Sequence, residues 1–315
     1  MIRKIAVIGA GTMGHGIAEN FALYGYSVKM YDTSMEILKQ AQDLIKQELE
    51  FLVAEEFIST EKVQSTLDNI NLCTDLAETV QDADYVIEAA PEILAFKQQL
   101  FCELDKLCKP ETILASNTSS LPLSGMMELV SPTRRQRMLV CHWYNPAHLM
   151  PIAELSFFGN MPIEIFEQVE KLYRSIKKQT VKVLKDVPGL VANRIQQGVA
   201  REVFSILEQG IAEPADVDKA LKFGPAFRYA TTGQLEVADF GGLDIWCTVG
   251  DNLLQVMDNS QKANPLLRQK VCEGKLGVKS GEGFFSYSPT AAAEKRKRFM
   301  QKLVHQLKAS DFYIE

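Results

Sequence analysis

The sequence has few of the residues from which proteins build metal centres or disulfide frameworks. Six cysteines and four histidines occur in 315 residues, and no two cysteines form a C-x-x-C pair. Closely spaced cysteines and histidines are the usual pattern of a zinc site or of a disulfide-rich domain. We therefore predict neither a metal ion nor disulfides, and scattered cysteines are typical of a reducing compartment.

The sequence also lacks an excess of positive charge and any long hydrophobic run. Lys and Arg number 34 against 40 Asp and Glu, so the formal net charge is −6. Such a chain is a poor general binder of nucleic acid or of anionic membranes. No run approaches the ~18 apolar residues of a membrane span. The opening "MIRKIAVIGAG" leads into glycines without a cleavage site, as a strand does. We expect a cytoplasmic protein that acts on a small molecule, with no nucleic-acid or membrane partner.

Short apolar runs alternate with helix-like segments through the first half of the chain. The runs are "KIAVIG", "SVKMYD", "DYVIEAA", "TILASN" and "RMLVCHWY". Continuous apolar strands of this kind are typical of a parallel sheet that is covered on both faces. Residues 33–83 are rich in Gln, Glu, Leu and Lys and predict two or more helices that project as an arm. The expected fold class for this half is α/β, with a Rossmann-type doubly wound sheet.

The apolar pattern changes after residue 184. Pro188 is well placed for a first helical turn, and apolar residues follow it four apart until Gly210. They are Val191, Ile195, Val199, Val203 and Leu207. This spacing predicts one long amphipathic helix in an all-α second domain, so we assign domains to residues 1–184 and 185–315. A small domain does not easily bury such a stripe, which favours a homodimer; packing within the subunit is the alternative.

A glycine-rich turn joins the first strand to the first helix in "AVIGAGTMGHGIAENFALYGYSVKMYD". The turn residues that we assign to a cofactor are Gly9, Gly11, Thr12, Met13 and Gly14. Gly11 would let the backbone approach a pyrophosphate, and the helix N-terminus would direct free N–H groups at it. Asp32 ends the second strand, where a carboxylate binds ribose hydroxyls and repels a 2′-phosphate. The pattern predicts a dinucleotide site for NAD rather than NADP; a glycine turn without a ligand is the alternative.

The stretch "CHWYNPAHLMPIAEL" carries an imidazole and a carboxylate twelve positions apart, His142 and Glu154. Two short strands joined by a turn at Asn145-Pro146 would place them side by side. Glu154 would then hold one ring nitrogen and leave the other free to take a proton. Oxidation of an alcohol needs such a base, because the hydroxyl loses its proton as hydride leaves the carbon. A hydrogen-bonded core histidine is the alternative interpretation.

With these motifs the sequence resembles the L-3-hydroxyacyl-CoA dehydrogenase superfamily, which includes 3-hydroxybutyryl-CoA dehydrogenases and the lambda-crystallin/L-gulonate 3-dehydrogenase branch. The motifs that carry the resemblance are "IGAGTMG", "EAAPEILAFK", "SNTSSL", "HWYNPAHLMPIAEL", "DVPGLVANR", "GGLD" and "KSGEGFFSY". They occur in the family's order from residue 1 to about 287. The resemblance implies NAD-dependent interconversion of an L-3-hydroxyacyl-CoA and its 3-oxoacyl-CoA, a step of fatty acid metabolism.

The resemblance also implies roles for individual residues. His142 would be the general base and Glu154 its partner. Ser119 and Asn193 would hydrogen-bond the substrate oxygen that becomes the carbonyl, because a developing oxyanion needs fixed donors. Asn145 would support the same pocket. The remaining residues implied at the cofactor site are Glu92, Lys97 and Asn117.

Two stretches depart from the thioester-using relatives. Those relatives carry basic residues in the helical arm, whereas "KQELEFLVAEEFISTEK" has five glutamates and two lysines and would repel a phosphorylated ligand. In "FGPAFRYATTGQLE", the Arg228-Tyr229 pair resembles the hydroxy-acid branch more than the thioester branch. A guanidinium suits a free carboxylate; a surface or interface arginine is the alternative. A CoA-free hydroxy acid is therefore an alternative substrate, and a crystallin-like structural role that retains dinucleotide binding is an alternative of another class.

Overall fold

The computed structural model describes residues 2–310. The chain divides into two compact units, with the boundary between Val191 and Ala192. The first unit is an α/β sandwich and the second contains helices, so the fold class predicted from the sequence is confirmed.

The first unit contains one eight-stranded sheet in the order β3-β2-β1-β4-β5-β6-β7-β8. Its strands are β1 (Lys4–Ile8), β2 (Ser27–Tyr31), β3 (Ile70–Cys73), β4 (Tyr85–Glu88), β5 (Ile113–Ser116), β6 (Met138–Trp143), β7 (Ile152–Ser156) and β8 (Gln179–Val183). All neighbouring strands are parallel except β6 and β7, which are antiparallel. The first six positions follow the order of a Rossmann-type sheet, whose strand order reverses between β1 and β4.

Helices cover both faces of this sheet. They are α1 (Gly14–Leu23), α2 (Met35–Ala54), α3 (Glu61–Asp68), α4 (Leu76–Val80), α5 (Leu94–Leu107), α6 (Leu123–Met126), α7 (Pro132–Arg135) and α8 (Ile163–Ser175). Side chains alternate along β1, so that Ile5 and Val7 join one core cluster and Ala6 and Ile8 join the other. This two-sided burial explains why the predicted strands read as continuous apolar runs.

The core beside β6 is aromatic. Trp143 packs against Phe21 and Tyr173, and its indole N–H donates to the Tyr173 hydroxyl at 3.0 Å. Tyr85 lies 2.8 Å from the same hydroxyl, oxygen to oxygen. These rings fix the strand that carries His142.

Residues 33–83 form α2, α3, β3 and α4, so the predicted helices are confirmed but the strand was missed. β3 is a four-residue edge strand with only Ile70 and Cys73 buried, too short and too polar to stand out. The apolar stripe of α2 faces the core through Leu38, Ala41, Ile45, Leu49 and Leu52. Glu36, Asp43 and Glu50 are exposed on this helix, whereas Glu48 faces His15 and His148.

The segment that follows β8 stays with the first unit. Asp186 accepts hydrogen bonds from the backbone nitrogens of Leu123 and Ser124 at 3.2 and 3.1 Å. Leu190 is buried in the core, and the Val191 nitrogen donates to Glu154 Oε1. These contacts put the boundary seven residues beyond the predicted 184/185 division, and β8 itself was not predicted.

The second unit contains helices α9 (Ala192–Glu208), α10 (Pro214–Phe223), α11 (Pro225–Tyr229), α12 (Gln234–Gly241), α13 (Leu243–Leu253), α14 (Pro265–Cys272) and α15 (Pro289–Ser310). The long amphipathic helix is confirmed as α9, but it begins four residues after Pro188. Gly189 and Leu190 have φ values of 78° and 49°, which a right-handed helix excludes. Among residues 2–310, no helix is long and apolar enough to cross a bilayer.

Candidate active site

His142 and Glu154 lie opposite each other on the antiparallel strands β6 and β7. Their side chains meet, with His142 Nδ1 2.9 Å from Glu154 Oε2. Both are buried, at 4% and 0% exposure. The sequence-based prediction of two strands joined at Asn145-Pro146 is what the fold shows, and that turn contains a cis Asn145-Pro146 bond.

This contact fixes the tautomer of the imidazole. An ionised carboxylate only accepts hydrogen bonds, so Nδ1 carries the proton and Nε2 keeps a lone pair. Nε2 lies 3.1 Å from Ser119 Oγ, which is at the exposed end of the loop after β5. The arrangement presents a proton-accepting nitrogen beside a hydroxyl donor, as oxidation of an alcohol requires.

Glu92 holds the loop that carries Ser119. Its Oε1 accepts hydrogen bonds from Thr118 Oγ1 at 2.6 Å and from the backbone nitrogens of Ser119 and Ser120 at 3.0 and 3.1 Å. Burial raises the pKa of Glu92, but hydrogen bonds from Thr118 and Lys97 outweigh it and lower that pKa to about 2. The carboxylate is therefore ionised and orients the hydroxyl of Ser119 through the backbone.

Lys97 is buried between two carboxylates. Its Nζ lies 2.9 Å from Glu88 Oε1 and 2.9 Å from Glu92 Oε2. Burial raises the pKa of Glu88, although the ammonium of Lys97 opposes this. Glu88 also accepts from Ser116 Oγ at 2.5 Å. Lys97 and Glu92 were predicted at the cofactor site from the sequence, but Glu88 was not, although its position at the end of β4 was the available signal.

A cavity of about 920 Å³ opens along the carboxyl ends of β1, β2, β4 and β5. Residues predicted at the cofactor site border it: Gly9, Gly11, Thr12, Met13, Asp32, Glu92, Lys97 and Asn117. Ser119 borders it too. Gly14 instead lies beneath the turn, where an added Cβ would come within 1.7 Å of the Gly9 oxygen. Tight packing at Gly14 is the role that the glycine pattern predicts.

The cavity walls fit a dinucleotide. A Cβ added at Gly11 would meet no protein atom within 4 Å, so the protein's own packing does not require a glycine there, whereas the close approach of a ligand would. Helix α1 begins at Gly14, and Met13 at its N-cap makes no side-chain capping hydrogen bond. A helix N-terminus without a side-chain cap is suited to a phosphate. Asp32 borders the cavity and accepts from the Ala10 nitrogen at 3.0 Å.

Two family models match this chain. Residues 4–187 match "3-hydroxyacyl-CoA dehydrogenase, NAD binding domain", and residues 189–287 match "3-hydroxyacyl-CoA dehydrogenase, C-terminal domain". The chain belongs to the 3-hydroxyacyl-CoA dehydrogenase family. The family resemblance seen in the motifs is thereby confirmed, and with it an NAD-dependent oxidoreductase that acts on a CH–OH group.

Relatives of this chain within the 3-hydroxyacyl-CoA dehydrogenase family differ in substrate. A probable 3-hydroxybutyryl-CoA dehydrogenase of Bacillus subtilis is 37% identical over 91% of this chain and 98% of its own. The 5-formyl-3-hydroxy-2-methylpyridine 4-carboxylate 5-dehydrogenase of Mesorhizobium japonicum is 32% identical over 96% of this chain and 97% of its own. The crystal structure of an enzyme of the latter activity, described as an NAD⁺-dependent dismutase, has a TM-score of 0.90 and covers 99% of both chains at 32% identity.

The other predicted substrate residues lie on different elements. Asn145 is exposed in the turn after β6. Asn193 lies in the first turn of α9 and Arg228 in α11, both in the second unit. Tyr144, which was not predicted from the sequence, places its ring 5.1 Å from that of His142, centroid to centroid. Burial and the charge of Glu154 raise the pKa of Tyr144 to about 12, which keeps the phenol neutral.

Proposed function

We propose that this enzyme oxidises the hydroxyl of an L-3-hydroxyacyl-CoA to the 3-oxoacyl-CoA, with His142 as the general base. The observation that carries the proposal is the series of contacts Glu154–His142–Ser119 beside the cavity. NAD supplies the hydride acceptor when bound. We assign roles in this reaction to four residues, which are His142, Glu154, Ser119 and Asn193.

The residues of this chain accept one proton and stabilise two charges, which are the imidazolium of His142 and the negative charge that develops on the substrate oxygen. A substrate hydroxyl near Nε2 gives its proton to His142, and the resulting imidazolium is stabilised by Glu154 through Nδ1–H. Ser119 Oγ donates to the substrate oxygen as negative charge develops on it. Glu154 keeps its second oxygen on the Val191 nitrogen at 2.9 Å, so it stays in place while the charge on the ring changes.

A CoA-free hydroxy acid is the second candidate substrate. The relative whose structure covers 99% of this chain acts on a pyridine carboxylate. That coverage extends over helix α15, which lies beyond the matched C-terminal domain of the 3-hydroxyacyl-CoA dehydrogenase family. Arg228 is exposed, so its guanidinium can reach a carboxylate. Acidic residues of α2 and α3 disfavour the phosphates of coenzyme A.

A substrate panel tests both candidates. Purified protein is mixed with NAD and either short 3-hydroxyacyl-CoA thioesters or free hydroxy acids, and NADH is followed by absorbance. His142→Gln serves as the matched control for each substrate. NADH formation with thioesters alone supports the first candidate, and formation with free acids alone supports the second. No NADH with either class would favour the crystallin-like structural role.

We also propose that the protein is a homodimer that assembles through the second unit and acts in the cytoplasm. Leu235, Phe240 and Phe223 are 83%, 80% and 75% exposed in the single chain, and soluble monomers rarely leave so much apolar surface in water. All six cysteines are free thiols, which supports a reducing compartment. Sedimentation equilibrium tests the assembly, and a mass of one chain would contradict it.

A further inference from the structure

A second cluster of ionisable side chains lies outside the catalytic site. Glu19 on α1, Glu48 on α2 and His148 in the turn between β6 and β7 offer ligand atoms that all lie within 4.8 Å of one another. These residues are 29 and 100 positions apart along the sequence, so no spacing pattern could have revealed them. None of them contacts the residues assigned to hydride or proton transfer in any described hydrogen bond.

The carboxylate of Glu19 points into this cluster without a donor. Its side chain is fully buried, at 0% exposure, and neither oxygen has a hydrogen-bond partner. Nε2 of His148, which is itself 7% exposed, also has none. A buried carboxylate that is left unsatisfied costs several kcal/mol, so either a proton that Glu19 shares with Glu48 or a bound cation must compensate it.

We propose that Glu19, Glu48 and His148 bind one transition-metal dication, of the zinc or manganese type, on the flank of α1. Two carboxylate oxygens and one imidazole nitrogen form a donor set that suits Zn²⁺ or Mn²⁺, whereas Mg²⁺ prefers oxygen and water ligands. Two negative charges neutralise the dication. The Glu48 side chain is 22% exposed, which provides both an entry route and the freedom to close around the ion.

Neighbouring groups hold two of the three ligands in place. His148 is buried, and its Nδ1 lies 3.5 Å from Glu48 Oε2. Lys178 donates to the carbonyl oxygens of Ala147 and Met150 at 2.6 Å each, which fixes the turn that carries His148. His15 Nε2 lies 3.4 Å from the other oxygen of Glu48 and orients that carboxylate.

Such an ion would tie three elements together. Helix α1 begins at the glycine turn, α2 follows β2, and the turn at residues 146–150 joins the strand of His142 to the strand of Glu154. The cation would thus hold the catalytic strand pair against the cofactor-binding helix. It would be a structural ion, since the catalytic contacts do not pass through it.

Metal content after reconstitution tests the site without any activity assay. The protein is stripped with a chelator, incubated separately with Zn²⁺, Mn²⁺ or Mg²⁺, desalted and analysed by mass spectrometry of the elements. We expect about one Zn²⁺ or Mn²⁺ per chain and no retained Mg²⁺. Glu19→Gln and His148→Phe should lower affinity by at least about tenfold. His305→Gln, which removes an exposed histidine of α15, should leave the content unchanged.

Several results would overturn the proposal. They are the absence of retained metal in the wild type, equal retention in Glu19→Gln, and loss of the metal in His305→Gln, which would indicate adventitious surface binding. If Glu19→Gln does not fold, Glu48→Gln replaces it, because Glu48 is partly exposed. Wild-type protein loaded with Co²⁺ gives a further readout: d–d bands without a thiolate charge-transfer band support the site, and a thiolate band assigns the ion to cysteine. A stripped protein whose Tm does not rise by roughly 5 °C on adding Zn²⁺ also contradicts it.

Discussion

Glu154 Oε1 accepts a hydrogen bond from the backbone nitrogen of Val191 at 2.9 Å, while its Oε2 orients His142. One buried carboxylate therefore fixes both the catalytic imidazole and the last residue of the first unit. The substitution Glu154→Gln cannot preserve both contacts, because an amide has a single acceptor oxygen.

We expect Glu154→Gln to lower kcat by about tenfold or more, since the imidazolium loses its counter-charge. The loss should be only partly recovered at alkaline pH. Steady-state kinetics across pH test this, with NADH affinity from fluorescence titration as the control for folding. Wild-type kcat at all pH values would show that the carboxylate has no catalytic role.

His142→Gln should cut kcat by about 10²–10⁴-fold, the usual contribution of a positioned base. His142 belongs to neither hydrophobic core cluster, whereas the other residues of β6 do, so folding and NADH binding should persist. Kinetics and NADH titration on the same preparation measure both quantities. A rate within tenfold of wild type would exclude His142 as the base.

Glu92 should give the protein a pH-dependent stability. Its pKa in the folded protein is about 2, below the ordinary value of 4.5, so the folded state binds fewer protons between these values than the unfolded state. The stabilisation is fully present above about pH 4.5 and is lost as the pH falls towards 2.

Urea unfolding at a series of pH values measures this effect. Glu92→Gln should be less stable than wild type at pH 6, and the difference should shrink below pH 4.5. Glu111→Gln, an exposed change on the same unit, is the matched control and should show no such trend. A difference that stays constant from pH 6 to pH 3 would mean that Glu92 is not ionised at a depressed pKa.

Asp32→Ser should raise KM for NAD by roughly tenfold or more and narrow the preference for NAD over NADP. The reason is that the carboxylate at the cavity edge both accepts from the ribose and repels a 2′-phosphate. Kinetics with the two cofactors give the ratio directly. If the ratio does not change, another residue distinguishes the two riboses.

Arg228→Met separates the two candidate substrates. With a free hydroxy acid, loss of a charge-assisted bond should weaken substrate binding about ten- to hundredfold without changing NADH affinity. Arg228→Lys should restore only part of it, because an ammonium lacks the paired donors of a guanidinium. With a thioester the substitution should have little effect. Robust activity on acetoacetyl-CoA that is the same in wild type and in Arg228→Met would exclude the binding of a substrate carboxylate by Arg228.

Contacts between residues close together in the sequence could be predicted, and contacts between distant residues could not. The glycine turn and Asp32 lie within 27 residues of one another, and strand pairing across one turn sufficed to place His142 beside Glu154. The hydrogen bond from the Val191 nitrogen to Glu154 could not be predicted, because almost every residue has a backbone N–H group and the sequence does not distinguish this one. Lys97 was predicted at the cofactor site and borders the cavity, yet its contact with Glu88 depends on how α5 packs on β4. The strands β3 and β8 were missed because short strands with polar residues carry a weak pattern.

The alternation of side chains along β6 gives the molecule a built-in spectroscopic probe. His142 and Trp143 are neighbours that face opposite sides of the sheet, and the indole of Trp143 is 2% exposed among aromatic rings. The other tryptophan, Trp246, lies in the second unit and is 39% exposed. In a Trp246→Phe background the remaining emission would come from the residue adjacent to the base. Its wavelength and lifetime would then report on the integrity of the catalytic strand separately from the unfolding of the helical unit.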